Sequence, residues 1–94
     1  MVISGDITTV RLSITGRVQG VWFRSWTKSQ AAQWKLSGWV RNRRDGSVEA
    51  VISGAVDHVQ EMIKAFEVGP PTASVISVEV TSCDPPEEIG FRQL

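Results

Sequence analysis

The chain has 94 residues, 41% hydrophobic and 21% charged, and its ten basic and ten acidic side chains balance to zero net charge. This length predicts one domain spanning residues 1–94 and is too short for two domains with separate cores. Zero net charge argues against general binding to nucleic acid or anionic lipid. No apolar run approaches the roughly 20 residues that a membrane span requires.

The N-terminal sequence and the cysteine content both favour the cytoplasm. Residues 1–10 lack the basic and apolar stretches of a secretory signal. Cys83 is the only cysteine, which excludes an internal disulfide and a multi-cysteine metal site. We therefore expect a cytoplasmic protein in which Cys83 is an unreactive, buried or half-buried side chain. We also expect a monomer.

Charge is unevenly distributed along the chain. No Asp or Glu occurs from Ile7 to Arg44, while eight basic side chains do. They are Arg11, Arg17, Arg24, Lys28, Lys35, Arg41, Arg43 and Arg44. The asymmetry predicts a locally positive site for a small anion, unless folding interleaves the two halves and cancels the field.

The first predicted elements are a strand and a helix. Residues 10–14 alternate apolar and polar side chains, as a strand with one buried face does. Residues 23–36 carry larger apolar side chains at spacings of three and four, which predicts a helix that Gly38 stops. Its predicted buried face comprises Phe23, Trp26, Thr27, Ala31 and Trp34.

A hairpin and a second helix follow. Asp45-Gly46-Ser47 lies between residues 39–44 and 48–53 and predicts a tight turn between antiparallel strands, because glycine supplies the positive φ that such a turn needs. Residues 55–66 again show helical spacing, and Gly69-Pro70-Pro71 predicts where that helix ends.

Alternation predicts a fourth strand near the end of the chain, over residues 76–81. Its predicted buried side chains are those of Ile76, Val78 and Val80. The tail can add a short edge strand near Phe91. The order β-α-β-β-α-β predicts an α+β, ferredoxin-like sandwich: an antiparallel sheet of four to five strands with two helices on one face.

This topology brings two polar residues together. A crossover helix makes the first two strands parallel and places their C-terminal ends at one edge of the sheet. Arg24 follows the first strand and Asn42 lies late in the second, so we expect the two to be neighbours.

The segment between the first strand and the first helix is a candidate anion site. A glycine-containing loop points backbone N–H groups into one concavity, and the helix N-terminus adds partial positive charge. The substrate-binding candidates are the backbone groups of Val18, Gln19, Gly20, Val21 and Trp22, together with Arg24. Arg24 can grip two phosphate oxygens in its planar fork, although a solvated helix arginine is the alternative.

Three segments resemble a known family. Gly16-Arg17-Val18-Gln19-Gly20-Val21-Trp22-Phe23-Arg24, then Gly38-Trp39-Val40-Arg41-Asn42 and Asp45-Gly46-Ser47-Val48, are similar in order and spacing to the signature blocks of the acylphosphatase family. The resemblance implies the same fold, hydrolysis of acyl phosphates, no cofactor, and Arg24 and Asn42 as the catalytic residues. The chain departs from the family at the bulky Trp22 and in the tail 90–94, which leaves substrate preference open.

The chemistry of the candidate site supports this reaction. The site offers no carboxylate for a metal, no cysteine and no Ser/His/Asp set, and the only histidine, His58, is expected at the opposite edge of the sheet as a surface or packing residue. Such a site suits a leaving group that departs as an anion, such as a carboxylate of pKa about 4. We expect Asn42 to position the attacking water and inorganic phosphate to be a product.

Two alternatives remain at this stage. RNA-recognition domains share the element order, but Val48-Glu49-Ala50-Val51-Ile52 lacks the aromatics that stack bases and carries Glu49 on its presumed exposed face. The second is a module that binds anions without catalysis. Among the tryptophans, core packing is expected for Trp26 and Trp34, while Trp22 or Trp39 could touch substrate.

Overall fold

Seven helices and strands follow one another in the order that the sequence predicts. The structure is a computed structural model and describes residues 6–94. The elements are β1 Ile7–Arg17, α1 Phe23–Gln33, β2 Ser37–Asn42, β3 Val48–Ala55, α2 Val56–Val68, β4 Ser74–Ser82 and β5 Phe91–Gln93. Neither helix in this part of the chain is long and apolar enough to cross a membrane.

The five strands form one sheet in the order β4-β1-β3-β2-β5. The four long strands are antiparallel to their neighbours, as predicted, whereas β5 pairs with β2 in parallel and makes the sheet mixed. The direction of β5 has a simple cause. β4 runs antiparallel to β1, β1 and β2 run the same way, and the loop 83–90 reverses the chain, so β5 runs with β2.

Both helices bury their apolar sides against one face of the sheet. Alternate strand residues such as Leu12, Val40 and Ile52 are fully buried in the same core as α1 and α2 side chains. Phe23 of α1 and Phe66 of α2 stack with ring centroids 6.0 Å apart. Both rings are at most 2% exposed, so truncating either to Ala removes about 3 to 5 kcal/mol of stability.

Helix α1 ends three residues earlier than predicted, and Gly38 is not its stop. Lys35 adopts a left-handed φ of 54°, and the N–H of Leu36 donates to the carbonyl of Ala31 at 2.9 Å, which terminates the helix without glycine. Gly38 lies within β2 at φ 135° instead. A Cβ there would lie 1.8 Å from the Val51 carbonyl oxygen, so the close approach of β3 requires glycine.

The predicted burial of β4 is wrong at Ile76 and at Val80. The pairing of β1 with β4 shifts by one residue beside Gly16, and a bulge of this kind interrupts the strict alternation of a strand. Val75 and Val78 therefore pack against the core. Ile76 is 82% exposed, and Val80, on the same strand, is 42% exposed.

Candidate active site

The ends of β1 and β2 meet at one edge of the sheet. Ile14 of β1 and Asn42 of β2 both pair with Val48 of β3, from opposite sides, so the two strands are level there. Between the segment that follows β1 and the end of β2 lies a cavity of about 310 Å³. Its lining residues are Val18, Gly20, Trp22, Phe23, Arg24, Ser25, Asn42 and Gln93.

The structure therefore brings Arg24 and Asn42 to one cavity, together with three of the predicted substrate-binding residues, Val18, Gly20 and Trp22. The side chains of the other two are directed elsewhere. Val21 is buried, with 6% of its surface exposed. Gln19 donates from Nε2 to two carbonyl oxygens of the β2–β3 turn.

The loop that precedes α1 is held from both sides. Gln19 Nε2 donates to the carbonyls of Arg43 at 2.7 Å and of Ser47 at 2.8 Å. On the other side, the Thr72 hydroxyl donates to the carbonyl of Val21 at 2.6 Å. These bonds connect residues distant in sequence, so the loop is positioned before any ligand binds.

The N-terminus of α1 is free of capping side chains and of acidic residues. The N-cap residue, Trp22, makes no side-chain cap, and the first turn contains no carboxylate. Phe23, Arg24 and Ser25 of that turn line the cavity. The unpaired N–H groups of a first turn and the helix dipole favour an anion, so the cavity has a source of positive potential besides Arg24.

Arg24 is held by the tail rather than by an acidic side chain. Its Nη1 donates to the backbone carbonyl oxygen of Leu94 at 2.8 Å. Within residues 6–94 it forms no ion pair with an Asp or Glu. The backbone oxygen of Leu94 therefore orients the guanidinium, and no Asp or Glu side chain of residues 6–94 competes with a ligand for it.

Other basic residues of the front half of the chain surround Glu49 instead of the cavity. Arg41 Nη2 lies 2.6 Å from Glu49 Oε1, and nitrogen atoms of Arg11 and Arg43 lie 3.9 Å and 4.0 Å from Oε2. The expectation that Glu49 is exposed is wrong, because these arginines leave its side chain only 6% exposed. Folding thus partly interleaves the acidic and basic halves.

The sequence analysis missed the contribution of the tail. Gln93 lines the cavity, and the Leu94 N–H donates to the carbonyl of Val40 at 2.9 Å. A possible edge strand near Phe91 was the available signal. This strand, β5, pairs with β2 in parallel, so residues 93–94 lie at the edge of the sheet where Asn42 lies. Phe23 and Ser25, which also line the cavity, adjoin Arg24 and could have been inferred from the helix start.

The remaining candidates lie outside the cavity. His58 of α2 packs against Trp34 at 5.6 Å between ring centroids, as expected for a packing residue. Trp39 does not line the cavity; the Arg41 guanidinium lies 5.4 Å from its ring centroid. Burial raises the pKa of the half-buried Cys83 thiol, which favours its unreactive form. Residues 6–94 contain no cluster of three or more His, Cys, Asp or Glu side chains suited to a metal.

The sequence matches the acylphosphatase family model over residues 10–93. The chain belongs to the acylphosphatase family. It is 51% identical over 83 residues to an acylphosphatase of Rhizorhabdus wittichii, covering 88% of this chain and 84% of that protein.

Solved structures of this family share the fold. The acylphosphatase of Coxiella burnetii superposes with a TM-score of 0.90 at 31% identity, covering 95% of this chain and 94% of that one. The acylphosphatase of Bacillus subtilis gives a TM-score of 0.87 at 34% identity, covering 95% and 99%. The ferredoxin-like fold predicted from periodicity is therefore confirmed.

Proposed function

We propose that this protein hydrolyses acyl phosphates to a carboxylate and inorganic phosphate, with Arg24 and Asn42 as its catalytic residues. One observation carries the assignment of these roles: both side chains line a single cavity at the uncapped N-terminus of α1. Arg24, the helix N-terminus and the backbone N–H groups of residues 18–22 hold the phosphoryl oxygens. Membership of the acylphosphatase family supports the reaction.

In the proposed mechanism, Asn42 hydrogen-bonds a water molecule on the side of the phosphorus opposite the acyl oxygen. The water oxygen forms a bond to phosphorus as the bond between phosphorus and the acyl oxygen breaks. The carboxylate leaves as an anion, and the proton of the water passes to a phosphoryl oxygen. Positioning and charge stabilisation are the two contributions that dominate phosphoryl transfer.

The composition of the cavity supports a substrate with a good leaving group. Its lining contains no Asp, Glu, His or Cys, so none of these groups stands ready to protonate a departing oxygen. A carboxylate, whose conjugate acid has a pKa of about 4, needs no proton. An alkoxide does, because its conjugate acid has a pKa on the order of 15, like that of bulk water. The proposal is therefore for anhydrides and not for phosphate monoesters.

The proposal includes a cytoplasmic monomer that does not bind nucleic acid. Arg24 and Asn42 line the same cavity within one chain, so the proposed roles of these two residues do not require a second copy. A carboxylate, Glu49, stands among the arginines of the sheet face and weakens that face as a phosphate-backbone site. Light scattering after gel filtration tests the monomer, and a dimer mass would contradict it.

The reaction is tested with acetyl phosphate and with ethyl phosphate, a monoester whose leaving group is an alkoxide, in the presence of a chelator. We expect phosphate release from the anhydride at a rate that the chelator does not change, and none above background from the monoester. In water enriched in ¹⁸O, the label should appear in phosphate because the water attacks phosphorus. Label in the acetate, or equal rates on the two substrates, would contradict the mechanism.

A further inference from the structure

Trp22 stands at the mouth of the cavity in an unusual setting. Its side chain is 79% exposed, while its neighbours Val21 and Phe23 are buried, with 6% and 2% of their surfaces exposed. Its backbone is left-handed, with φ 64°. An indole is among the largest apolar surfaces that a residue can offer, and a left-handed backbone strains any residue with a Cβ.

Nothing in the described fold accounts for the indole. The three other tryptophans of the chain are partly buried, and Trp26 and Trp34 pack on the core. Within residues 6–94, Trp22 has no aromatic partner and no cation over its ring. A strained backbone that carries an exposed apolar group beside a cavity points to use by a ligand.

The lining of the cavity is divided in a way that matches an acyl phosphate. Arg24, Ser25, Asn42 and Gln93 supply polar groups. The apolar side chains of the lining are those of Val18, Trp22 and Phe23. Val18 and Phe23 are at most 2% exposed, so Trp22 supplies the large apolar surface that a ligand can contact. Because Trp22 and Arg24 line the same cavity, a substrate whose phosphoryl group binds Arg24 has the exposed indole available for its acyl group.

We propose that Trp22 forms a subsite for the acyl group that selects flat, apolar acyl phosphates, aromatic ones above all, over small aliphatic ones. This inference rests on the proposed function and adds the substrate class. Offset stacking of an aryl ring on the indole requires no hydrogen bond and tolerates an open site. The interaction is made equally before and during reaction, so it acts on KM rather than on kcat.

The test compares kcat/KM for benzoyl phosphate and acetyl phosphate in the wild type and in Trp22→Gly, Trp22→Asn and Trp22→Phe. Gly and Asn both tolerate the left-handed backbone, so these variants should fold, and Phe keeps a ring. We expect the ratio of kcat/KM for benzoyl phosphate to kcat/KM for acetyl phosphate to fall about threefold to tenfold in the Gly and Asn variants, because KM for benzoyl phosphate rises. In Trp22→Phe this ratio should stay close to the wild-type value. A disturbed loop backbone would affect both substrates and cancel in the ratio.

Lys35→Gly is the matched control, because Lys35 is the other non-glycine residue with a positive φ, 54°, and does not line the cavity. Both glycine variants should raise the midpoint of urea unfolding by relieving the strained backbone, but only Trp22→Gly should change the ratio. An unchanged ratio in Trp22→Gly, with both substrates hydrolysed, would overturn the subsite alone. Failure of the wild type to hydrolyse either anhydride would instead overturn the proposed function.

Discussion

Arginine side chains lie in two different settings in this molecule: Arg24 alone lines the cavity, and three others lie together on the sheet face that the helices leave open. Arg24 at the cavity is held by the Leu94 carbonyl, whereas Arg11, Arg41 and Arg43 on the sheet face surround the carboxylate of Glu49. All four belong to the stretch without acidic residues that predicted a positive site. The comparison teaches that folding, and not the run of basic residues in the sequence, decides which arginine is paired with an acidic side chain.

Replacing Arg24 should have the largest effect. We expect Arg24→Ala to lose binding of inorganic phosphate and to lower kcat/KM for acetyl phosphate by about a thousandfold or more, because the phosphoryl oxygens lose their paired donors in a site without other cationic side chains. Steady-state kinetics and calorimetric titration with phosphate measure the two quantities. Arg41→Met is the control from the sheet face and should leave phosphate binding within about twofold. Equal losses of phosphate binding in Arg24→Ala and Arg41→Met would show that the cavity and the sheet face do not differ in anion binding.

Asn42 shares the cavity with Arg24 but should act on a different step. We expect Asn42→Ala to bind phosphate as the wild type does and to lose kcat by roughly two to three orders of magnitude, since a single positioning donor contributes about that much. The same titration and assay separate the two residues. Unchanged turnover of acetyl phosphate in this variant would show that Asn42 does not position the water.

Arg41 should matter for stability rather than for catalysis. Without it, the buried Glu49 carboxylate keeps only the contacts of 3.9 Å and 4.0 Å. We expect Arg41→Met to lower the free energy of unfolding by about 1 to 2 kcal/mol, measured by urea denaturation, since a charged acceptor loses its closest donor while much of the arginine was exposed. Adding Glu49→Gln should recover part of this loss. Full stability with impaired phosphate binding would place Arg41 at the site after all.

Periodicity was enough to predict most of the fold. Two strands and a helix in βαβ order already require Arg24 and Asn42 to lie at one edge of the sheet, and the structure places them on one cavity. The alternation rule failed at Ile76 because a bulge depends on how β1 and β4 pair, which no local pattern reveals. The tail was hardest to predict, since three residues carry little periodic signal and their partner strand is distant in sequence.

The burial of Glu49 shows why charge in sequence is a weak guide to charge in space. Glu49 follows the basic stretch by a few residues in sequence, and the β2–β3 hairpin places it directly opposite Arg41. The register of the hairpin therefore decides that this arginine is neutralised. Arg24 has a different partner, because the residue that follows β5, Leu94, brings its backbone oxygen to the guanidinium.

The turn between β2 and β3 is bonded to the cavity loop through Gln19, and changes in it should give the smallest effect. The Ser47 hydroxyl, and then its N–H, donate to Asp45 Oδ1 at 2.6 Å and 2.9 Å and lower the pKa of Asp45 below its ordinary value of 3.8. A carboxylate whose pKa is lower in the folded state stabilises the protein at any pH above its unfolded-state pKa. This contribution disappears as the pH falls through the folded-state pKa.

The stability difference between the wild type and Asp45→Asn should therefore shrink as the pH falls below about 4. Urea midpoints from pH 7 to pH 3 measure it, and Ser47→Ala should reproduce much of the change. If the stability difference between the wild type and Asp45→Asn stayed constant with pH, the charge of the Asp45 carboxylate would not stabilise this turn.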